Sequence, residues 1–502
     1  MRSGLIGAAA AAVVAAAAAA PAQASFDACT YDAGSRTATA SMLTPGTARL
    51  SVGAGGEILA DEAPCGAATT ANTDQIVATG SSGTDEITID LSGPGGPFAK
   101  PGGDDEVHIY VDLSSEGCEC ALGQQFVRVL GTDGDDQITA GAGFLVNFDA
   151  GADADSDLAV NGADVHGLRI DAGEGDDTVS GRGGSGTGLD PAPVQMSGGP
   201  GDDRLALGER FSSALPGAGN DTVLASAARG EAAEYTDMPA GVRVDMDRGE
   251  VVDAYGGLDH LSLDLDAVTG SEHGDTMHAG WGIPLYGEGG NDRIFGDDYD
   301  DRLSGGPGND LLDANGSFDG DSLDGGPGRD MLRGSGKGDY LDGGPDHDHL
   351  EGRGGGDSLA GGAGDDYLAG GRGPDLYLFD APVGREVDTI FEGYGEGKDT
   401  LDLGWYTRVR TPLTIDLDSR TTTLAVRGHR RVRGEFPATA RFIENVVATS
   451  AGDRIVGNGR PNEIHSGGGD DTIDCRGGHD TVFDASNGAR LTGCEALEDA
   501  RQ

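Results

Sequence analysis

The chain is poor in aromatic side chains and in positive charge. Aromatic residues make up 5% of its 502 residues, and 34 Lys+Arg stand against 86 Asp+Glu, a formal net charge of −52. So few bulky side chains offer little apolar surface to offset the conformational entropy of the chain. So much negative charge also opposes a compact state. We therefore expect folding to depend on bound cations, and we exclude nucleic acid and anionic membranes as partners.

Long apolar runs are missing after the first 24 residues. Residues 1–24 contain Arg2, an Ala/Val run from Ala8 to Ala20 and the small-x-small sequence Ala22-Gln23-Ala24. This pattern predicts a cleaved signal peptide, with Ser25 as the first mature residue. No later stretch of 18 apolar residues exists, so we expect no integral membrane segment after cleavage. The prediction is a secreted, extracellular protein.

Cysteine is scarce, at six residues in the chain. In a secreted protein these predict disulfides. A Cys475–Cys494 disulfide could link the C-terminal tail to the part of the chain that precedes it. Among the three pairings open to the other four cysteines, Cys29–Cys65 is preferred. A redox or metal role for Cys118-Glu119-Cys120 is an alternative with less support, because C-x-C alone is a weak motif.

Glycine and aspartate are abundant, and they recur in phase. Between Gly287 and Phe379 an aspartate returns every nine residues, apart from an insertion at Ala314 and Asn315, and a large apolar residue follows each aspartate by two positions. The aspartates are Asp292, Asp301, Asp310, Asp321, Asp330, Asp339, Asp348, Asp357, Asp366 and Asp375. The apolar residues are Ile294, Leu303, Leu312, Leu323, Leu332, Leu341, Leu350, Leu359, Leu368 and Tyr377.

Each unit combines a short strand with an oxygen-rich turn. Residues 305–313 and 361–369 read G-G-x-G-x-D-x-U-x, where U is a large apolar residue. The x-U-x segment can present one apolar side chain to a sheet interior, and glycine permits sharp turns. Carboxylates beside backbone carbonyls suit a hard cation such as Ca²⁺. Cysteine and histidine, which zinc favours, are missing from the repeated positions.

These units resemble the calcium-binding nonapeptide of the RTX (hemolysin-type) proteins. The resemblance implies a right-handed parallel β-roll in which two nonapeptides form one coil and each ion lies between the loops of successive coils. On that basis Asp292 shares an ion with the loop of Asp310, and ten units give about eight sites. The glycines implied in the same loops are Gly306, Gly308, Gly326, Gly328, Gly362 and Gly364.

The pattern is looser in parts of the main array, and it recurs on both sides of that array. Tyr299, Asp319, Lys337 and Asp346 replace the fourth residue of their units, so the sites of Asp301, Asp321, Asp339 and Asp348 depart from the repeat. Decayed units before the main array add Asp177 and Asp203 to the candidate ligands. A C-terminal array adds Asp471 and Asp480.

We therefore predict an all-β protein of right-handed parallel β-roll or β-solenoid arrays, with interposed β capping segments and an N-terminal β-rich region. The predicted divisions are a signal peptide (1–24), the N-terminal β-rich region (25–125), degenerate RTX-like repeats (126–230), an interposed β segment (231–283), the main β-roll (284–380), an Arg-rich β capping segment (381–447), C-terminal repeats (448–484) and a tail (485–502).

Motifs that suggest catalysis have simpler explanations. Gly-Asp-Ser-Leu occurs at 320–323 and 356–359, as in one esterase family, but both serines stand in phase with the repeat. His347 and His349 flank Asp348 and could bind zinc, although tolerated loop substitutions explain them better. H-E-x-x-H and G-x-S-x-G are absent from the sequence.

The expected function is that of a non-enzymatic, extracellular protein that folds on binding multiple Ca²⁺ ions and serves as a structural, surface or adhesive component. The arginines between Arg408 and Arg441 could contact an extracellular or cell-surface polymer, or pair with the acidic roll, which we prefer. The alternative is a secreted hydrolase with an unrecognised catalytic domain in residues 25–230 and the arrays as a calcium-dependent folding module.

Overall fold

A computed structural model describes most of the chain. The described residues are 26, 28–42, 47–80, 85–94, 98, 108–113, 125–141, 145–148, 158–161, 165–183, 194–208, 211–226, 229–316, 318–379, 387–392, 397–403, 414–418, 423–427, 430–434, 443–483 and 488–498. Within these ranges the regular elements are β-strands, which confirms the all-β prediction. A search of the same ranges for a helix long and apolar enough to cross a membrane finds none.

The chain forms two compact units, residues 1–197 with 208–212, and residues 198–207 with 213–502. The strands up to residue 200 are β1 Ala28–Asp32, β2 Thr37–Ser41, β3 Thr47–Val52, β4 Glu57–Ala60, β5 Ala63–Thr69, β6 Gln75–Thr79, β7 Glu86–Asp90, β8 His108–Asp112, β9 Gln125–Leu130, β10 Gln137–Gly141, β11 Leu145–Asn147, β12 Leu158–Asn161, β13 Val165–Asp171, β14 Thr178–Ser180 and β15 Val194–Pro200.

In the first unit, strands far apart in sequence pair in parallel. One series is β2, β6, β8 and β12, and the other is β3, β7, β9 and β13. The N-terminal β-rich region therefore shares the parallel pairing of the decayed repeats that follow it. The hairpin strands β1, β4 and β5 add to the edges of these series.

The second unit contains much shorter strands. They are β16 Arg204–Ala206, β17 Ser213–Ala218, β18 Thr222–Leu224, β19 Ala232–Glu234, β20 Arg243–Asp245, β21 Glu250–Val252, β22 Leu258–Leu261, β23 Ala267–Thr269, β24 Thr276–His278, β25 Leu285–Tyr286, β26 Arg293–Phe295, β27 Arg302–Ser304, β28 Leu311–Asp313, β29 Ser322–Asp324, β30 Met331–Arg333, β31 Tyr340–Asp342, β32 His349–Glu351, β33 Ser358–Ala360, β34 Tyr367–Ala369, β35 Leu376–Leu378, β36 Val387–Phe391, β37 Asp399–Asp402, β38 Thr414–Asp416, β39 Thr423–Arg427, β40 Arg430–Gly434, β41 Ile443–Val447, β42 Arg454–Val456, β43 Glu463–His465, β44 Thr472–Asp474, β45 Thr481–Phe483, β46 Arg490–Thr492 and β47 Ala496–Glu498.

Successive strands of the main array alternate between two parallel sheets. Sheet I contains the even-numbered strands β24 to β36, and sheet II contains the odd-numbered strands β25 to β37. Leu312 pairs with Ile294 on one side and with Leu332 on the other. Each strand thus pairs with the equivalent strand one coil away, and two nonapeptides complete a coil, as the resemblance implied.

The predicted apolar residues form the core between the sheets. All ten are at most 1% exposed. A three-residue strand points only its central side chain into the space between the sheets because neighbours along a strand point to opposite faces. That is why one large apolar residue in every nine is enough to fill this interior.

Both interruptions are built into the stack. At 243–261 the antiparallel strands β20, β21 and β22 join parallel neighbours β18 and β24. At 414–434 the antiparallel strands β38, β39 and β40 join β36 and β42 in the same way. The other sheet continues directly, from β19 to β23 and from β37 to β41.

The disulfides Cys29–Cys65 and Cys475–Cys494 form as predicted, with Cα–Cα distances of 4.8 and 5.2 Å. The signal-peptide segment and Cys118-Glu119-Cys120 lie outside the described residues. Arg408, Arg410, Arg420 and Arg441 do too, and the side chains of Arg427, Arg430, Arg431 and Arg433 are not described.

We predict that Leu332→Ala destabilises the calcium-loaded chain by about 2–4 kcal/mol, because a fully buried leucine in a stacked column leaves a cavity that its neighbours cannot close. Met331→Ala is the matched control, since the adjacent Met331 is 36% exposed. Urea unfolding at saturating calcium measures both variants. An equal loss in the two would show that the column does not carry the stability.

Candidate calcium sites

The aspartates of the main array stand at the ends of the turns that join the two sheets. Turns that enter sheet I form edge I, and they end at Asp292, Asp310, Asp330, Asp348 and Asp366. Turns that enter sheet II form edge II, and they end at Asp301, Asp321, Asp339, Asp357 and Asp375. Alternate aspartates therefore lie on opposite edges, and each edge gathers carboxylates from successive coils.

One oxygen of each of these carboxylates, apart from that of Asp301, is bound by the preceding coil. The amide of Asp292 donates to Oδ1 of Asp310 at 2.8 Å, and the amide of Asp310 donates to Oδ1 of Asp330 at 2.8 Å. The bond recurs along edge I from Asp275 to Asp366 and along edge II from Asp301 to Asp399, at 2.7–3.0 Å. We call each series a carboxylate ladder. The ladders hold successive coils in register at both edges.

The second oxygen of several aspartates has nothing to bind. Oδ2 is buried without a hydrogen-bond partner in Asp292, Asp310, Asp330, Asp348 and Asp357. These five residues are at most 3% exposed. A buried carboxylate oxygen without a donor is costly. A cation bound in the turn would remove that cost. Four of the five Oδ2 atoms, those of Asp292, Asp310, Asp330 and Asp348, belong to successive turns of edge I.

The first glycine of each turn faces the same oxygen. A Cβ on Gly305 would lie 2.4 Å from Oδ2 of Asp310 and 2.7 Å from the carbonyl oxygen of Gly325 in the next coil. A Cβ on Gly325 would meet Oδ2 of Asp330 at 2.7 Å and the Gly343 carbonyl oxygen at 2.7 Å. A carboxylate and a carbonyl oxygen from two coils thus converge, and all-oxygen surroundings fit Ca²⁺.

The predicted glycines lie where turns stack closely. A Cβ on Gly306 would come within 2.0 Å of the Glu288 carbonyl oxygen, and one on Gly328 within 1.3 Å of the Gly308 carbonyl oxygen. Positions Gly308, Gly326, Gly362 and Gly364 are equally crowded by the preceding coil, at 1.6–2.6 Å. Any side chain there would push successive turns apart, so these glycines fix the spacing of the candidate sites.

Burial makes the carboxyl groups hard to ionise. It raises the pKa of Asp292, Asp330 and Asp348 from an ordinary 3.8 to about 7. It raises the pKa of Asp357 to about 8. The ladder amide opposes this rise, and neighbouring aspartates add to it. A bound cation acts in the opposite direction because it favours the charged carboxylate.

The repeats before and after the main array contain shorter carboxylate ladders. In the first unit the Asp136 amide donates to Asp177 at 2.7 Å. In the second unit the Asp203 amide donates to Asp221 at 2.8 Å. At the C-terminal end the amides of Asp453 and Asn462 donate to Asp471 and Asp480, each at 2.8 Å. Asp471 and Asp480 also keep a buried Oδ2 without a donor.

The ladders extend into the interruptions, where the nine-residue spacing is lost. The Asp221 amide donates to Asp259, and the Asp375 amide donates to Asp399, at 3.0 Å in both cases. The two acceptors stand 38 and 24 residues after their donors, so a fixed spacing cannot find them. Both do precede a leucine by two positions, at Leu261 and Leu401, and that D-x-U signal would have identified them.

The end of edge II gathers a further carboxylate. Ligand atoms of Asp375, Glu392 and Asp399 lie within 4.8 Å of one another, and all three residues are buried. The Tyr377 hydroxyl donates to Glu392 and accepts from the Gly370 amide at 2.8 Å. Burial raises the pKa of Asp399 to about 7. Glu392 was not predicted, because nothing in the repeat marks its position.

The residues that suggested other chemistry have structural partners. His349 stacks on Tyr367 with a centroid distance of 4.5 Å and bonds Glu351 at 2.9 Å. His347 Nδ1 accepts the Asp365 amide at 2.7 Å. Ser322 and Ser358 occupy strands β29 and β33, both in register with Tyr340. Each fits its place in the repeat.

The fold and the turns together define a β-roll built from stacked, carboxylate-lined coils. The family model described as RTX calcium-binding nonapeptide repeat (4 copies) matches residues 128–144, 169–187, 286–320, 315–350, 324–359, 342–377 and 447–482. The chain therefore carries RTX calcium-binding nonapeptide repeats in several parts of its length, and it is a calcium-binding β-roll. A search of curated proteins finds no match.

We predict that, without calcium, stability falls as pH rises from about 4 to about 8. Over this window the folded chain retains protons on the buried aspartates that the unfolded chain has already released. Their contribution is fully present below the ordinary pKa of 3.8 and is lost as pH passes the raised values.

Thermal unfolding of the full chain in chelator, followed by circular dichroism across this pH range, measures the effect. Saturating calcium should abolish or reverse the fall because the ion favours the ionised carboxylates. A melting temperature in chelator that stays level or rises with pH would contradict the prediction.

Proposed function

We propose that this protein is an extracellular, non-enzymatic β-roll that folds on binding several Ca²⁺ ions and acts as a structural, surface or adhesive component. The observation that carries the proposal is the row of buried, donor-free oxygens on Asp292, Asp310, Asp330 and Asp348 in successive turns of edge I. These aspartates would supply carboxylate ligands, and the stacked turns would supply carbonyl oxygens. The calcium ions would neutralise charge and bridge coils.

Net charge supports a folding role for the ions. A chain with a formal charge of −52 repels itself when compact, and its short strands bury one large side chain each. Ions bound by the folded chain alone add their binding free energy to its stability. Calcium would therefore lower the repulsion between carboxylates and also connect the aspartate-containing turns of neighbouring coils.

An extracellular location is supported by two independent features. The first 24 residues have the composition of a secretory signal. The disulfides Cys29–Cys65 and Cys475–Cys494 suit an oxidising compartment. Extracellular calcium is also plentiful enough to fill sites of millimolar affinity.

A non-enzymatic role is supported by the construction of the chain. The region in which a hydrolase domain was the alternative, residues 25–230, contains the parallel series β2–β6–β8–β12 and β3–β7–β9–β13. It shares this pairing with the calcium-binding repeats. The partner of the protein would be an extracellular or cell-surface polymer, because stacked, repeated coils offer such a polymer many equivalent contacts.

We expect calcium to produce a cooperative gain of β signal in far-UV circular dichroism, with little response to magnesium, which demands a tighter octahedral geometry. The double variant Asp310→Ala/Asp330→Ala should raise the calcium midpoint by at least about tenfold. It loses two carboxylate ligands and two charge-assisted hydrogen bonds, each worth about 1.5–3 kcal/mol.

The matched control is Ser358→Ala, which alters a half-buried side chain of strand β33 outside the turns and should leave the midpoint unchanged. A wild-type chain with full β signal in chelator and no calcium response would overturn the proposal. Turnover of esters or peptides by the full chain would instead favour the hydrolase.

A further inference from the structure

The turns of the chain are of two kinds, distinguished by their second residue. In what we call open turns this residue is glycine or has a positive φ, as in Gly306 (φ 90°), Glu288 (65°) and Arg353 (70°). These turns end at Asp310, Asp292 and Asp357, whose Oδ2 atoms have no donor. In self-capped turns the second residue is serine, threonine, aspartate or asparagine. Its backbone amide donates a hydrogen bond to the side chain of the aspartate or asparagine that ends the turn.

The turn at 334–339 shows the self-capped arrangement in full. The Ser335 amide donates to Oδ2 of Asp339 at 2.5 Å, and the Ser335 hydroxyl donates to Oδ1 at 3.1 Å. The same hydroxyl accepts the Lys337 amide at 3.2 Å. Oδ1 of Asp339 also accepts the ladder bond from the Asp321 amide at 2.8 Å. Both carboxylate oxygens therefore have donors from the chain itself.

The same amide bond recurs in five further turns of the described chain whose second residue is of this type. The pairs, with the distance from the amide nitrogen to the side-chain oxygen, are Thr132–Asp136 (2.6 Å), Ser271–Asp275 (2.7 Å), Asp297–Asp301 (2.8 Å), Thr449–Asp453 (2.9 Å) and Asn458–Asn462 (2.9 Å). Asp301 is the intermediate member, because its Oδ2 is capped while its Oδ1 has no partner.

Asn462 provides independent support, because a neutral amide replaces the carboxylate there. Its Oδ1 accepts the Asn458 amide, and its Nδ2 donates to the Glu444 carbonyl oxygen at 2.8 Å. Asn462 is 1% exposed, and its side chain is satisfied in the position that aspartate holds elsewhere. A coil of this fold can thus close a turn with no negative charge in it.

We propose that the self-capped turns take no calcium and close their coils without it, so that the ions load the open turns alone. In the main roll this makes calcium binding one-sided at the coils whose edge II turns are self-capped, those that end at Asp301 and Asp339. Edge I would hold a continuous row of ions from Asp292 to Asp348, whereas edge II would bind none at the turn of Asp339 and would be open at Asp357. The inference rests on the proposed calcium-dependent fold and specifies which turns carry it.

The test compares Asp330→Asn with Asp339→Asn in the full chain. The two aspartates are equally buried, at 3% exposed, and each accepts a ladder bond from the preceding coil at 2.8 Å. Calcium uptake by isothermal titration should fall in stoichiometry for Asp330→Asn, which loses an ionised ligand. It should match the wild type for Asp339→Asn, since the Ser335 amide already occupies Oδ2 of Asp339 and no ion would bind in that turn.

A second variant removes the cap instead of the charge. At about pH 4, where the chain is expected to be most stable in chelator, Ser335→Gly should lower the melting temperature by roughly 1–3 °C, because a turn-capping hydroxyl is lost. It should also raise calcium stoichiometry, since glycine allows the open conformation and frees Oδ2 of Asp339. Ser358→Ala, with its serine outside the turns, should change neither quantity.

The outcomes separate the two proposals. Equal loss of stoichiometry in Asp330→Asn and Asp339→Asn would overturn the two-class assignment and leave the calcium-dependent fold standing. A Ser335→Gly variant with the calcium stoichiometry and the melting temperature of the wild type would also contradict the two-class assignment. A wild-type chain that took up no calcium would overturn the proposed function and this inference with it.

Discussion

The structure depends on one repeated interaction, the bond from a backbone amide to the aspartate of the next coil. Three-residue strands bury a single large side chain each, so neighbouring coils share a narrow apolar contact. The ladder bonds of 2.7–3.0 Å add a fixed connection at each edge of that contact. They also draw carboxylates out of water. The same bond that aligns the coils therefore creates the need for a compensating cation.

Protons, calcium and local capping are three solutions to this one electrostatic problem. Protonation satisfies the buried carboxyls at low pH, as the raised pKa values of Asp292 and Asp357 indicate. Calcium would satisfy them as anions, in turns with enough space and carbonyl oxygens. Ser335 satisfies Asp339 with donors from the chain. The second residue of a turn would determine which of the three applies, because it determines whether Oδ2 of the aspartate that ends the turn already has a donor.

The sequence predicted what depends on spacing alone. The nine-residue period identified the core column through Leu312 and Leu332, and the resemblance to RTX proteins implied that Asp310 and Asp301 belong to alternate turns of a coil. It could not identify Asp399 or Glu392, because insertions of variable length separate them from the array. The capping by Ser335 was also invisible, since a serine in a glycine-rich loop looks like a tolerated substitution until its hydrogen bonds are seen. In the N-terminal region, strand pairing such as Val77 with Tyr110 sets the coil without glycine-rich turns.

A mixture of open and self-capped turns suits a chain that must fold while highly charged. The cap joins residues four apart, so it closes a short loop at small entropic cost and needs no ion. The ladders of the main roll join residues 17 to 24 apart, and they gain their full strength only when two coils are already in place. Self-capped turns can thus set the geometry of a coil locally, after which calcium locks the open turns of the neighbouring coils. An array made only of open turns would have to bring several carboxylates together before any ion could bind, against the repulsion that the ions are there to remove.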